Sequence, residues 1–160
     1  MRRSLPGVLC FILLSMAVGT KPLLARGDPV VEAQSSDPAL NRAYKQAQQT
    51  LSRLTRVFRQ PGYSEFMVKV AFRHSGGREH IWMSVDQITN GRFVGVIQNN
   101  PVYVTRVERG SSYSARKSEL SDWGYVQNGL SYGQFTTRAL LGRMSPEAQQ
   151  RLGAKLSPQP

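Results

Sequence analysis

Cysteine occurs once in the 160 residues, at Cys10, and acidic residues are outnumbered by basic ones, 10 to 21. Cys10 lies inside an N-terminal apolar run, so once that run is removed the chain has no thiol at all. This excludes a disulfide framework, a thiol nucleophile and a thiolate metal site, and leaves burial alone to hold the fold. There are 2 histidines, His74 and His80. None follows His80 to act as a late base for a serine, and no serine stands in a nucleophile-elbow pattern. The glycine-containing stretches "GRFVG" and "SGGRE" lack the lysine and the helix context of a phosphate-binding loop. Glu65, Glu79, Asp86, Glu108, Glu119 and Asp122 are scattered singly, and nothing in their spacing sets two of them at the separation that paired-acid hydrolysis requires.

What is present begins with an export signal. Arg2 and Arg3 precede an apolar run from Val8 to Val18, followed by the small residues Ala17-Val18-Gly19 and by Leu23-Leu24-Ala25, two alternative cleavage points. The run is shorter than the ~20 apolar residues needed to span a bilayer. The reading is a secretory leader over residues 1–25 and a periplasmic or secreted destination. Cleavage there removes Arg2, Arg3 and Lys21 and no acid, lowering the net charge from +11 to +8. Nucleic acid is not an expected partner for an exported chain. A protein or an anionic envelope component is, and contact with a membrane surface stays open.

Residues 26–36 are polar and aperiodic and read as a flexible lead-in; residues 37–156 read as one domain, and 157–160 as a tail. Asp37-Pro38 carries a capping acid and a first-turn proline. Leu40, Tyr44, Ala47, Leu51, Leu54 and Phe58 then recur at spacings of three and four, placing an apolar stripe on one face of a helix. Arg42, Lys45, Arg53 and Arg56 share the opposite face, either a solvated stripe or a docking surface. From Glu65 the period changes to two. "EFMVKVAFR" sets Phe66, Val68, Val70 and Phe72 against Met67, Lys69, Ala71 and Arg73, and "HIWMSVD" returns with Ile81, Met83 and Val85 on one side. Asn90-Gly91 and Asn128-Gly129 are hairpin signals, and "PVYVTRV" and "SSYSARK" are expected as further strands. Two short helices, "RALLGRM" and "EAQQRLGAKL", close the chain. The expected class is α+β: an N-terminal amphipathic helix packed on a bent antiparallel sheet or small open barrel of six to seven short strands, with C-terminal helices.

The ordered set "EFMVKVAF", "EHIWMSV", "NNPVYVTRVERG", "SELSDWGYV", the Asn-Gly hairpin and "YGQFTTRALL" resembles the YegJ-like family of bacterial domains of unknown function. It covers residues Glu65 to Leu141, and the helix at 38–60 lies outside it, as a feature that would set this member apart. The resemblance implies a shared fold and an envelope context, and it carries no activity to transfer.

Candidate site residues therefore come from the chain itself. His74 and His80, six positions apart across a Gly-Gly turn, could approach one another with Glu79, although no third and fourth ligands have metal-site spacing. No cofactor is expected. Trp82, Tyr103, Tyr113, Trp123, Tyr125 and Tyr132 are core filling or a ligand-binding face, with Arg92, Arg106, Arg116 and Arg138 near them in sequence. Trp82 is expected in the core. In "SELSDWGYVQNGLSYGQFTTR", Asp122 and Trp123 read as a turn acid followed by an anchoring indole that rivets the last hairpin to the sheet. Two functional readings stand. One is a non-catalytic interaction domain, antitoxin-like in one version, that binds through a sheet face or the basic helix. The other is an envelope hydrolase or small-ligand enzyme with a site around Asp122, Trp123 and Arg138.

Overall fold

Helix α1 spans Pro38–Val57 in a computed structural model that describes residues 37–160. The expected leader and lead-in lie outside the described residues. The Asp37 carboxylate accepts hydrogen bonds from the amides of Ala39 and Leu40, as the capping signal requires, and Arg143 pairs with the same carboxylate from the far end of the chain. Leu40, Ala43, Ala47, Leu51 and Leu54 are buried, while Tyr44 is half-buried at the flank of this stripe. Arg42, Lys45, Arg53 and Arg56 are all exposed. Arg59, with a positive φ of 62°, turns the chain out of the helix ahead of Pro61-Gly62.

Seven strands follow: β1 Tyr63–His74, β2 Gly77–Ser84, β3 Gln87–Thr89, β4 Arg92–Val96, β5 Ser112–Arg116, β6 Leu120–Gln127 and β7 Leu130–Gly133. They form two antiparallel sheets, of order β2-β1-β6-β7 and β3-β4-β5. The two join where the end of β2 meets the end of β4: Asp86 N–H reaches Val94 O, Gln98 N–H reaches Trp82 O, and Met83 bridges to Ile97. Gly95 makes this junction possible, since a Cβ there would lie 1.7 Å from the Ser84 carbonyl oxygen. The result is a bent surface that does not close into a barrel. Both Asn-Gly pairs turn with positive φ at each residue, the geometry of the tight hairpins that their sequence signals.

The period-two pattern sorts the side chains as read. Val68, Val70 and Phe72 of β1 join Ile81 and Met83 of β2, Trp123 and Tyr125 of β6 and the buried stripe of α1 in one core. Met67 and Trp82 form a second, smaller buried pair. Helix α2, Phe135–Leu140, leads through a 3-10 turn at Leu141–Arg143 to α3, Pro146–Gly153, whose Ser145 cap accepts from Ala148 N–H. One expected strand is absent: residues 101–107 are a loop. The amides of Val102, Tyr103 and Val104 do not enter a ladder because the Glu79 carboxylate takes all three, at 2.6, 2.9 and 2.9 Å, and Pro101 has no amide hydrogen to offer.

Candidate functional site

Asp122 sits on β6 with its Cα opposite Lys69 of β1, and it is 1% exposed. Its carboxylate accepts from the amides of Trp123, Phe135 and Thr136 and from the Thr136 hydroxyl, at 2.8, 3.1, 2.8 and 2.6 Å. Two of these amides open α2. The residue before that helix, Gln134, is in the left-handed region and offers no side-chain cap, so Asp122 caps α2 from across the fold. Lys69 Nζ donates to Thr136 Oγ1 at 3.0 Å and lies 4.6 Å above the Trp82 ring. Burial pushes the Asp122 carboxyl above its ordinary value, while Lys69 and the hydrogen bonds from Thr136 and Trp123 pull it down. Trp123 is equally buried. Its Nε1 donates to the Ala47 carbonyl of α1 at 2.9 Å, and its ring packs on Tyr125 and edge-on against Phe135. The gap bounded by Ala47, Leu51, Asp122 and Trp123 has no room for a water molecule.

Arg138 gives its guanidinium to three backbone carbonyls: Gly133 at 2.7 Å, Ser157 at 2.8 Å and Ser131 at 3.3 Å. It ties β7 to the segment after α3. Asp122, Trp123 and Arg138 are thus not brought to a common concave surface; their polar atoms are engaged with the backbone of the fold.

The open cavity lies elsewhere. A cleft of about 1480 Å³ runs between the first turns of α1, the outer residues of β1 and β2, the loop at 99–104 and α2. His80 stands in its wall. Its Nδ1 is 2.8 Å from Ser121 Oγ, its Nε2 is 3.4 Å from the Tyr44 hydroxyl, and its ring stacks on Tyr44 with centroids 5.0 Å apart. Ser121 Oγ also lies 3.1 Å from the Lys69 carbonyl oxygen, which can only accept from it. Burial, then the charges of Lys69 and Arg78, lower His80 from 6.5 to about 4 and keep it neutral at physiological pH. This meeting of α1, β2 and β6 has no signature in residue spacing, because His80 and Ser121 are 41 positions apart.

At the mouth, Arg73 and Arg78 are direct partners across the β1–β2 ladder and both are exposed. Among the described residues neither guanidinium has a hydrogen-bonding or ion-pair partner. Beside them the loop pinned by Glu79 displays Val102 and Tyr103, 63% and 58% exposed, and the His74 ring stacks on Tyr103 with centroids 5.0 Å apart. His74 Nδ1 also accepts from Gly76 N–H. His74, His80 and Glu79 therefore each serve different partners, and among the described residues no three His, Asp or Glu side chains gather where they could hold a metal ion. In the inner part of the cleft the hydroxyl of Thr137 is buried without a partner.

Residues 37–156 match the family described as an uncharacterized protein conserved in bacteria, DUF2314. The chain belongs to the DUF2314 family. The match takes in α1 and α3, so the N-terminal helix is part of the DUF2314 unit and does not set this member apart, contrary to the narrower span read from sequence. The chain is similar to "Uncharacterized protein YegJ" of Escherichia coli K12, 33% identical over 129 residues that cover 81% of this chain and 84% of that one. It is also similar to a Neisseria meningitidis serogroup B protein named "Putative ankyrin repeat protein", 35% identical over 133 residues, covering 76% of this chain and 52% of that one. No solved structure matches.

Proposed function

We propose that this DUF2314 protein is an exported, non-catalytic binding domain and that it holds an anionic partner, a protein or an envelope component, in the cleft between α1 and β1–β2. The observation that carries this reading is the Arg73–Arg78 pair. Like charges directly opposite on neighbouring strands oppose each other, so the pair is stabilised by an anion placed between them. A positively charged chain and a cleft with apolar and polar walls suit the same use. The meningococcal relative is named for ankyrin repeats, units that stack into extended binding surfaces, which agrees with a protein partner.

The competing surface is the outer face of α1, with Arg42, Lys45, Arg53 and Arg56. Charge reversal separates the two. In cross-linking against envelope extracts, Arg73→Glu with Arg78→Glu abolishes a saturable adduct and the fourfold reversal on α1 leaves it in place. The opposite pattern assigns binding to the helix, and the absence of any saturable adduct removes the binding reading.

A further inference from the structure

Resting on that reading, we infer that the ligand at the cleft mouth is an acidic polypeptide segment, with a carboxylate held between Arg73 and Arg78 and a neighbouring apolar side chain laid on Val102 and Tyr103. Three features favour a peptide over a simple anion. Arg73, Arg78 and Tyr103 line the same cleft, and Arg and Tyr are among the side chains that dominate binding energy at protein interfaces. Val102 and Tyr103 are the large apolar side chains left well exposed among the described residues, and they line the same cleft as the cationic pair. The loop that carries them is also fixed before any ligand arrives. Both oxygens of Glu79 hold its amides, and the His74 ring supports Tyr103 from one side. A rim fixed in this way binds without first ordering a loop, which lowers the cost of association. Planar guanidiniums grip a carboxylate through paired N–H donors, and an acidic segment complements the excess of basic residues.

The test uses a fluorescently labelled peptide that alternates glutamate with leucine, titrated into the purified protein and followed by anisotropy. Controls replace every glutamate by glutamine or every leucine by alanine. Separate arms use inorganic phosphate and vesicles of phosphatidylglycerol and phosphatidylethanolamine. The expected result is saturable binding of the glutamate–leucine peptide alone. Arg73→Gln, Arg78→Gln and Tyr103→Ala each weaken it about tenfold. These three side chains are exposed, so the variants keep the fold, which a matching melting temperature checks. Equal binding of the alanine control, displacement by phosphate and indifference to Tyr103→Ala would overturn the peptide assignment in favour of a plain anion site. Arginine-dependent retention on the vesicles with no peptide binding would overturn it in favour of a membrane surface. In either case the cleft-dependent adduct from envelope extracts would persist, which separates failure of this inference from failure of the binding reading itself.

Discussion

Replacing Asp122 by alanine removes the acceptor of four hydrogen bonds at once and leaves the amides of Trp123, Phe135 and Thr136 without their partner in a dry interior. It also takes away the carboxylate whose negative charge faces Lys69. Each orphaned buried donor costs about 1 kcal/mol or more, and breaking a buried charge pair costs about 3–5 kcal/mol. These terms overlap, since the same carboxylate serves both, so the expected loss is about 4 kcal/mol. Asp122→Asn keeps the shape and one carbonyl oxygen but turns an amide NH₂ towards donors, and it should lose about 2 kcal/mol. Asp122→Asn combined with Lys69→Met removes both charges and should recover part of that loss, because no buried charge is then left without its counter-charge. Urea unfolding at pH 7, followed by tryptophan fluorescence, measures all three. Hydrogen exchange should show local loss of protection at Phe135 and Thr136 in the alanine variant. An Asp122→Ala protein within about 1 kcal/mol of the parent, with those amides still protected, would refute the idea that this carboxylate holds α2 to the sheet.

Trp123→Ala should cost about 3–5 kcal/mol in the same assay, from lost burial and from the Ala47 carbonyl left without its indole donor, with little change in ligand affinity per folded molecule. A normal melting curve with lost binding would return Trp123 to the site. His80 is neutral in the fold down to about pH 4 but takes up a proton near 6.5 when unfolded. Stability therefore falls as pH drops from about 6.5 to about 4, by at most roughly 3 kcal/mol. The slope in this window should flatten in His80→Gln when the two proteins are compared. An unchanged slope would contradict the buried neutral ring. Gly95→Ala should prevent the close approach at Ser84 and yield little folded protein, whereas Gly91→Ala, with open space around it, should be limited to the strain of its positive φ of 70°. Equal behaviour of the two glycine variants in thermal melts would contradict the sheet junction.

Much of the scaffold was legible because it follows local rules. The spacings in α1, the alternation in β1 and β2 and the two Asn-Gly turns each depend on neighbours within a few residues, and each appears where the sequence indicates. The strand expected at 101–107 failed for a reason that spacing cannot express. An apolar alternation is a strand signal only if its amides find a ladder, and here Glu79, more than 20 positions away, takes them. The Asp122–Trp123 rivet was read in the right place, but two of the three amides that Asp122 satisfies open α2, and the third is that of Trp123 itself. The cleft was not legible at all. Lys69 and Arg73 looked like the polar side of a strand, and Tyr44 like part of an apolar stripe. Only the docking of α1 on β6 and α2 turns Tyr44 onto His80 of β2 and makes a wall of it.

In the proposed binding mode the anionic partner lies between α1 and β1–β2 and not on the outer face of the helix. Amide chemical shifts of the isotopically labelled protein, titrated with the glutamate–leucine peptide, test it most directly. Shifts are expected to concentrate at residues 73–80 and 99–104, with Arg42, Lys45, Arg53 and Arg56 unmoved. Shifts along the outer face of α1 with a silent cleft would contradict it.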